Sequence, residues 1–201
     1  MIDENKIVIL PISPDRLDDF LAFFENSIPE SEWGYRCYCA AFCGEENCSE
    51  EGMEKPEVRK AAAVRYIRGG TLRGYLAYAD RQVIGWCSAN DRNACRKCFG
   101  VKWIVGTQLA ETEKKGKSVF CFEIAPEIRG RGVASMLLDR VISDAAKEGY
   151  AFVEAYPAKK ADDETENYAG PAALYEKAGF SEVGETENCT IMRKNLSPAA
   201  D

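Results

Sequence analysis

The stretch FEIAPEIRGRGVASMLL, residues 122–138, decides the fold. Its first residues are typical of the end of a buried strand, and Pro126 ends that strand because proline cannot donate a hydrogen bond to a sheet. A glycine-rich turn follows at once. The apolar residues after Val133 then recur at helical spacing. The segment therefore predicts a strand that leads through a tight turn into an amphipathic helix.

The start of that helix has the properties of an anion-binding site. The first N–H groups of a helix lack internal partners, and the helix dipole makes that end positive, so phosphate groups bind there. Gly130 and Gly132 let the backbone approach a ligand closely, and Arg129 and Arg131 add positive charge. The alternative is a plain strand-to-helix turn with two solvated arginines. The spacing matches neither the dinucleotide fingerprint nor a Walker A loop.

The remaining sequence predicts one α/β (α+β) domain with a mixed sheet and helices on its faces. Helix caps, alternation and turn residues mark the elements. Strands are expected at 6–12, 74–78, 83–88, 118–124, 151–156, 181–186 and 190–194, and helices at 54–68, 133–147, 170–177 and after an N-cap at Ser13. The cysteine-bearing stretches 30–53 and 90–106 are expected to be irregular. We expect a single domain over residues 1–195 and a tail at 196–201.

Composition excludes several classes of function. The net charge of −7 and the pI of about 4.9 argue against nucleic-acid binding and favour cationic substrates such as amines. Histidine is absent, which removes Ser/His and Cys/His catalytic pairs. No apolar run is long enough to span a membrane, and the acidic N-terminus differs from a signal peptide. We therefore expect a cytoplasmic protein without a membrane partner.

The nine cysteines leave three interpretations open. Their odd number argues against a disulfide framework. Cys95-x-x-Cys98 has zinc-ligand spacing, and Cys37 and Cys39 could complete such a site. The surroundings of Cys37 and Cys39 are apolar, however, and free cysteine is among the most buried residue types. We favour buried thiols and predict no metal ligand; zinc and a redox pair are the alternatives.

Two motifs, Arg129-x-x-Gly132-x-Ala134 and ALYEKAGF at residues 173–180, resemble those of the GNAT superfamily of N-acetyltransferases. The first matches the family's (Gln/Arg)-x-x-Gly-x-(Gly/Ala) pyrophosphate loop, and the second resembles the short helix that is its second landmark. The strand pair at 74–88 looks like the family's central hairpin. The resemblance covers roughly residues 70–195. The stretches 33–39 and 85–92 are also similar to a group of bacterial GNAT-like proteins with a cysteine-rich N-terminal half.

The resemblance implies the GNAT fold, a central mixed, mostly antiparallel sheet of about six to seven strands flanked by helices. In that fold, a bulge would splay the strand at 118–124 from the strand at 151–156, and the pantetheine arm of acetyl-CoA would insert between them. One N–H near Phe122–Ile124 would point at the thioester oxygen. The implied coenzyme A contacts are Phe122, Ile124, Arg129, Gly130, Arg131, Gly132, Val133, Ala134 and Ser135.

The resemblance also suggests catalytic residues. Tyr175 matches the family's usual general acid, which protonates the departing thiolate; the alternative is a core tyrosine. Glu123 is the candidate base for the amine, and the alternative is a solvated carboxylate on the opposite face of the sheet. Many family members carry an asparagine seven residues before the tyrosine, where this chain has Tyr168. Asn167, one residue out of register, is the candidate for a pantetheine contact.

Two functions are compatible with these features. The first is an N-acetyltransferase that uses acetyl-CoA and a primary amine, on a small molecule or a peptide, by direct attack in a ternary complex, as a monomer or homodimer. The second is a non-catalytic CoA-binding or cysteine-based metal- or redox-sensing module on the same fold. The aromatic residues Trp33, Tyr35, Tyr38 and Trp86 either wall an acceptor pocket or belong to the core.

Overall fold

A computed structural model describes residues 6–28, 36–43, 55–107, 109–159 and 168–197. The strands in these ranges are β1 Val8–Pro11, β2 Gly74–Ala79, β3 Gln82–Asp91, β4 Gly116–Ile124, β5 Phe152–Ala155, β6 Ser181–Glu185 and β7 Thr190–Asn195. The helices are α1 Leu17–Asn26, α2 Pro56–Arg68, α3 Arg92–Cys95, α4 Phe99–Val105, α5 Val133–Lys147 and α6 Ala172–Lys177.

The seven strands of the described residues form one sheet in the order β1-β2-β3-β4-β5-β7-β6. Only β4 and β5 pair in parallel, whereas the other neighbours pair antiparallel. The chain makes this parallel pair through the crossover helix α5, as parallel strands require. The prediction of a mixed, mostly antiparallel sheet is confirmed.

The helices cover both faces of the sheet. The α1 residue Phe20 packs edge-on against Trp86 of β3, with ring centroids 4.9 Å apart. The neighbouring residue, Gly85, lies under α5, because an added Cβ there would meet Val133 at 3.1 Å. Successive residues of a strand point to opposite faces. We call the face that carries Trp86 and α1 the α1 face, and the other the α5 face.

Two local predictions need correction. The stretch 90–106 is not irregular, because it forms α3, capped by the Asp91 side chain on the Ala94 N–H, and α4. The N-terminal helix begins with a 3₁₀ turn, Pro14–Arg16, before α1, and the Ser13 hydroxyl caps no N–H group but accepts from the Arg16 guanidinium at 2.8 Å.

Some expectations fall outside the described residues. Trp33, Tyr35, Asn167 and most of the predicted tail at 196–201 lie there. Leu196 is described, and its N–H donates to the Ala151 carbonyl at 2.9 Å. Among the described helices, none has the length and apolar character that crossing a membrane would require.

Candidate functional site

The turn between β4 and α5 is open on its outer side. Gly130 and Gly132 have φ values of 76° and 78°, in the left-handed region that favours glycine. A Cβ added at either position would meet nothing within 4 Å, so the glycines are not explained by close packing of the protein. Gly132 is the N-cap of α5, and no side chain caps this helix start. The first N–H groups of α5 therefore have no capping side chain.

The side chains around this turn fall into two groups. Arg129, Arg131 and Ser135 are exposed, and the Arg129 Nε donates to the Ile124 carbonyl at 3.3 Å. Val133 is buried in the core, so only its backbone is available to a ligand. The turn thus combines positive side chains with the positive end of a helix dipole, a combination that suits a diphosphate.

Next to this turn, β4 separates from β5. The parallel pairing runs only from Gly116–Phe152 to Val119–Ala155. The register of β4 against β3 shifts where Ser88 pairs with Cys121 and Ala89 pairs with Val119, which leaves Phe120 as the extra residue of a bulge. Beyond that bulge β4 still pairs with β3 but no longer with β5. The predicted bulge and splay are both confirmed.

Backbone direction shows which β4 groups face the gap. The Ala125 N–H donates to Ile84 in β3 at 3.0 Å. Because N–H directions alternate along a strand, the N–H groups of Phe122 and Ile124 point away from β3, into the gap. The Phe122 N–H already has an acceptor there, the Tyr168 carbonyl, at 2.7 Å.

Tyr175 is a completely buried residue of α6. Its hydroxyl donates to the Ala169 carbonyl at 2.5 Å, and its ring lies 6.5 Å from that of Phe122. Burial raises the pKa of Tyr175 well above its ordinary value, and the Cys87 and Cys121 thiols act in the same direction. Tyr175 is thus a neutral hydrogen-bond donor beside the gap.

Glu123 lies on the α1 face near the C-terminal end of β4, beside the gap. It pairs in register with Trp86, whose side chain is on that face. Burial raises the pKa of Glu123 to about 7, and Arg129 offsets part of this effect. The carboxyl is therefore divided between its neutral and charged forms near neutral pH, as a general base for amine chemistry should be.

Three thiols lie behind Glu123. The Cys39 thiol is hydrogen-bonded with those of Cys37 and Cys121, and it also accepts the Trp86 indole N–H at 3.1 Å. The hydrogen bond with Cys39 lowers the pKa of Cys121, but burial together with the nearby Glu123, Cys37 and Cys87 outweighs this effect and raises the pKa to about 12. The Cys37 and Cys39 thiols thus lie next to Cys121 of β4, whereas the Cys95 thiol interacts with that of Cys98. The eight cysteines in the described ranges are free thiols, and no group of three or more metal-ligating side chains there could hold a metal ion.

The aromatic residues of the predicted acceptor pocket belong to the core where they are described. Trp86 and Tyr38 are buried, at 0% and 3% exposure. The sequence analysis missed a different aromatic contact, in which Trp103 of α4 stacks on Tyr168. The only signal for it was the unusual tyrosine at a position where the GNAT motif has asparagine.

Known proteins share this arrangement. The family model described as "Acetyltransferase (GNAT) domain" matches residues 71–182, more than half of the chain. The chain belongs to the GNAT acetyltransferase family. Its α5 turn and its gap lie where this family's sequence motifs predicted them. The comparison with curated proteins finds no match.

Solved GNAT structures share the fold at low sequence identity. The PaiA N-acetyltransferase of Thermoplasma acidophilum, in complex with coenzyme A, has a TM-score of 0.56 and 17% identity over 94% of this chain and 99% of its own. The ribosomal-protein-S18-alanine N-acetyltransferase of Escherichia coli has a TM-score of 0.52 and 14% identity, covering 97% of each chain. The spermidine/spermine N-acetyltransferase SpeG of Vibrio cholerae has a TM-score of 0.55 and 14% identity over 96% of this chain and 95% of its own.

Proposed function

We propose that this GNAT protein is an N-acetyltransferase that moves the acetyl group of acetyl-CoA to a primary amine by direct attack in a ternary complex. One observation carries the proposal: the open helix start of α5 and the gap between β4 and β5 both lie at the C-terminal end of β4. A diphosphate on the turn would direct an attached chain into the gap. The solved relative with bound coenzyme A supports this assignment.

In this proposal the backbone holds the donor. The N–H groups of the turn at 130–135 and the side chains of Arg129, Arg131 and Ser135 bind the pyrophosphate. Phe122 and Ile124 offer backbone groups to the pantetheine, and the Ile124 N–H is placed to stabilise the negative charge that grows on the thioester oxygen. Asn167 stays a predicted pantetheine contact.

Glu123 and Tyr175 handle the protons. Glu123 takes a proton from the protonated amine, and the neutral nitrogen then attacks the thioester carbon; the second proton, which this nitrogen loses as the amide forms, passes to solvent. The carbon–sulfur bond breaks, and the thiolate leaves with its electron pair. Tyr175 donates its hydroxyl proton to that sulfur and recovers a proton from solvent. Because the Tyr175 hydroxyl is bound to Ala169 in the structure, it has to leave this acceptor before it can protonate the sulfur.

The acceptor is an amine on a small molecule or on a peptide. Two of the solved relatives are named for their acceptors, as a ribosomal-protein-S18-alanine N-acetyltransferase and a spermidine/spermine N-acetyltransferase. The net charge of −7 favours cationic amines over anionic ones. The free thiols fit the reducing cytoplasm, which we propose as the location.

The test is mass-spectrometric detection of free coenzyme A and of acetylated product with spermidine, small primary amines and alanine-terminated peptides. Acetylation of one class above the rate without amine is the expected result. A protein that binds coenzyme A but acetylates no amine would favour the second candidate, a CoA-binding or thiol-based sensing module. That candidate is favoured by one observation, the engagement of the Tyr175 hydroxyl by Ala169.

A further inference from the structure

The segment Tyr168–Gly170, here called the strap, occupies the gap that the donor would need. Two consecutive carbonyls of the strap bind two groups that the proposed reaction uses. The Tyr168 carbonyl accepts the Phe122 N–H at 2.7 Å, and the Ala169 carbonyl accepts the Tyr175 hydroxyl at 2.5 Å. The pantetheine and the strap therefore compete for the same side of β4.

The strap is held at the surface by an aromatic stack. The ring of Tyr168 lies 5.8 Å from that of Trp103 at an interplanar angle of 19°, and 6.3 Å from the buried ring of Phe42. Trp103 is 63% exposed, so most of its surface is in water and its described packing partner is Tyr168. The Asn188 side-chain amide donates to the Trp103 carbonyl at 3.2 Å and fixes this part of α4.

The C-terminal end of the strap is a natural pivot. Gly170 has a φ of 78°, and a Cβ there would meet Leu174 at 3.2 Å. Pro171 follows in an extended conformation as the N-cap of α6. Rotation about the glycine would move Tyr168 and Ala169 while α6 and the ring of Tyr175 keep their places.

We propose that the strap is a gate that closes the donor gap in the free protein, with the Trp103–Tyr168 stack as its latch. Donor binding opens the gate, and opening releases the Phe122 N–H for the pantetheine and the Tyr175 hydroxyl for the departing sulfur. This inference rests on the proposed function. It adds that the acid becomes available only when the donor is in place, so the free enzyme keeps its proton donor occupied.

The gate predicts how a weaker latch affects donor affinity. When only the open form binds, the apparent Kd equals the intrinsic Kd divided by the open fraction. A stacked aromatic pair contributes enough to change an equilibrium roughly two- to tenfold. Removing the stack should therefore raise the open fraction and tighten coenzyme A binding by that factor, an unusual result for a substitution that deletes a contact.

The experiment compares the wild type with Trp103→Ala and with the control Trp103→Phe, which keeps a planar ring. Amide hydrogen exchange measured by NMR without ligand reports strap opening at Phe122, and Val141 in α5 serves as a reference amide. Calorimetry with coenzyme A gives the Kd. We expect Trp103→Ala to speed exchange at Phe122 and lower the Kd, both roughly two- to tenfold, with Val141 unchanged and Trp103→Phe near the wild type.

Two results would overturn the gate. One is Phe122 exchange in Trp103→Ala that equals the wild type. The other is faster exchange with an unchanged or weaker affinity for coenzyme A. The two measurements also separate the gate from the function. If neither the wild type nor the variant binds coenzyme A, the proposed function fails. If the wild type binds coenzyme A but Trp103→Ala does not speed amide exchange at Phe122, only the gate is refuted.

Discussion

Glu123 is the residue that links the site to pH. Its burial, which raises the pKa to about 7, comes from packing on the α1 face, where Trp86 and the thiol of Cys121 lie close by. A base acts only in its charged form. If Glu123 is the base, as proposed, the acetylation rate should therefore fall as the pH drops through 7, because protonation of its carboxylate removes the proton acceptor.

Glu123→Gln should abolish this dependence and lower kcat/KM at pH 8 by roughly a hundredfold, the low end of general-base effects. The measurement is a pH profile of kcat/KM from pH 5.5 to 9. Glu127→Gln is a matched control, since Glu127 is an exposed carboxylate at the same turn. A Glu123→Gln profile with the wild-type limb would exclude Glu123 as the base.

Substitution of Tyr175 gives a second test at the scale of single residues. Tyr175→Phe keeps the buried ring and removes only the hydroxyl that donates to Ala169. If that hydroxyl protonates the leaving thiolate, turnover should fall by more than about tenfold, while acetyl-CoA affinity should not weaken, because the lost bond to Ala169 is one that holds the strap closed. Single-turnover kinetics and calorimetry give the two quantities. Turnover equal to the wild type would leave Tyr175 as a core residue.

The residues of the site differ in how far sequence could predict them. Glu123 was identified by its position beside an expected bulge, but its raised pKa depends on burial among residues from distant segments. The sequence motif identified Tyr175 as the candidate acid, whereas the hydrogen bond of its hydroxyl to Ala169 depends on how the strap folds. The Trp103–Tyr168 stack joins residues far apart in the chain, and local patterns carry no information about such a pair.

At the scale of elements, the turn that starts α5 should be needed for donor binding rather than for folding. Gly132 and Gly149 lie at opposite ends of this helix, with φ values of 78° and 73°, and an added Cβ meets nothing within 4 Å at either. Alanine at either site should therefore cost similar backbone strain, roughly 1 kcal/mol. The two substitutions form a matched pair.

Gly132→Ala should weaken coenzyme A binding by more than about tenfold, because the N-cap backbone would move away from the geometry that presents N–H groups to phosphate. Gly149→Ala should leave the affinity unchanged. Calorimetry measures the affinities, and urea unfolding checks that both variants lose similar stability. Equal affinities for the two variants would place the pyrophosphate elsewhere.

The strength of local signals explains which elements were predicted. Strand β4, its turn and α5 combine an apolar run, a proline stop and a 3.6-residue period, so their order and type were correct. Helices α3 and α4 were missed because they are short, at 4 and 7 residues, and their cysteines and basic residues show no helical period. Their stability comes from packing on β3, β4 and the segment around Phe42.

At the scale of the whole molecule, Glu154 of β5 connects two distant parts of the chain, α3 and β7. It is completely buried and accepts from the Arg92 Nε at 2.8 Å, from the Tyr156 hydroxyl at 2.8 Å and from the Arg193 Nε at 2.9 Å. The Tyr156 and Ser118 hydroxyls are also 2.8 Å apart, which continues the network into β4. The network holds β5 to β4 and β7 just before the gap opens.

Glu154→Gln should be strongly destabilising, because it keeps the volume of the side chain but leaves two arginines without their buried counter-charge. Breaking one partner of a buried pair costs about 3–5 kcal/mol, or very roughly 10 °C in Tm for a chain of this size. Glu185→Gln is the control, since its ion pair with Lys159 is 64% exposed on the carboxylate side and should contribute under about 1 kcal/mol. Urea unfolding at pH 7 compares them. Similar losses in both variants would mean that β5 is held by apolar packing alone, and that the gap does not depend on the charge network beside it.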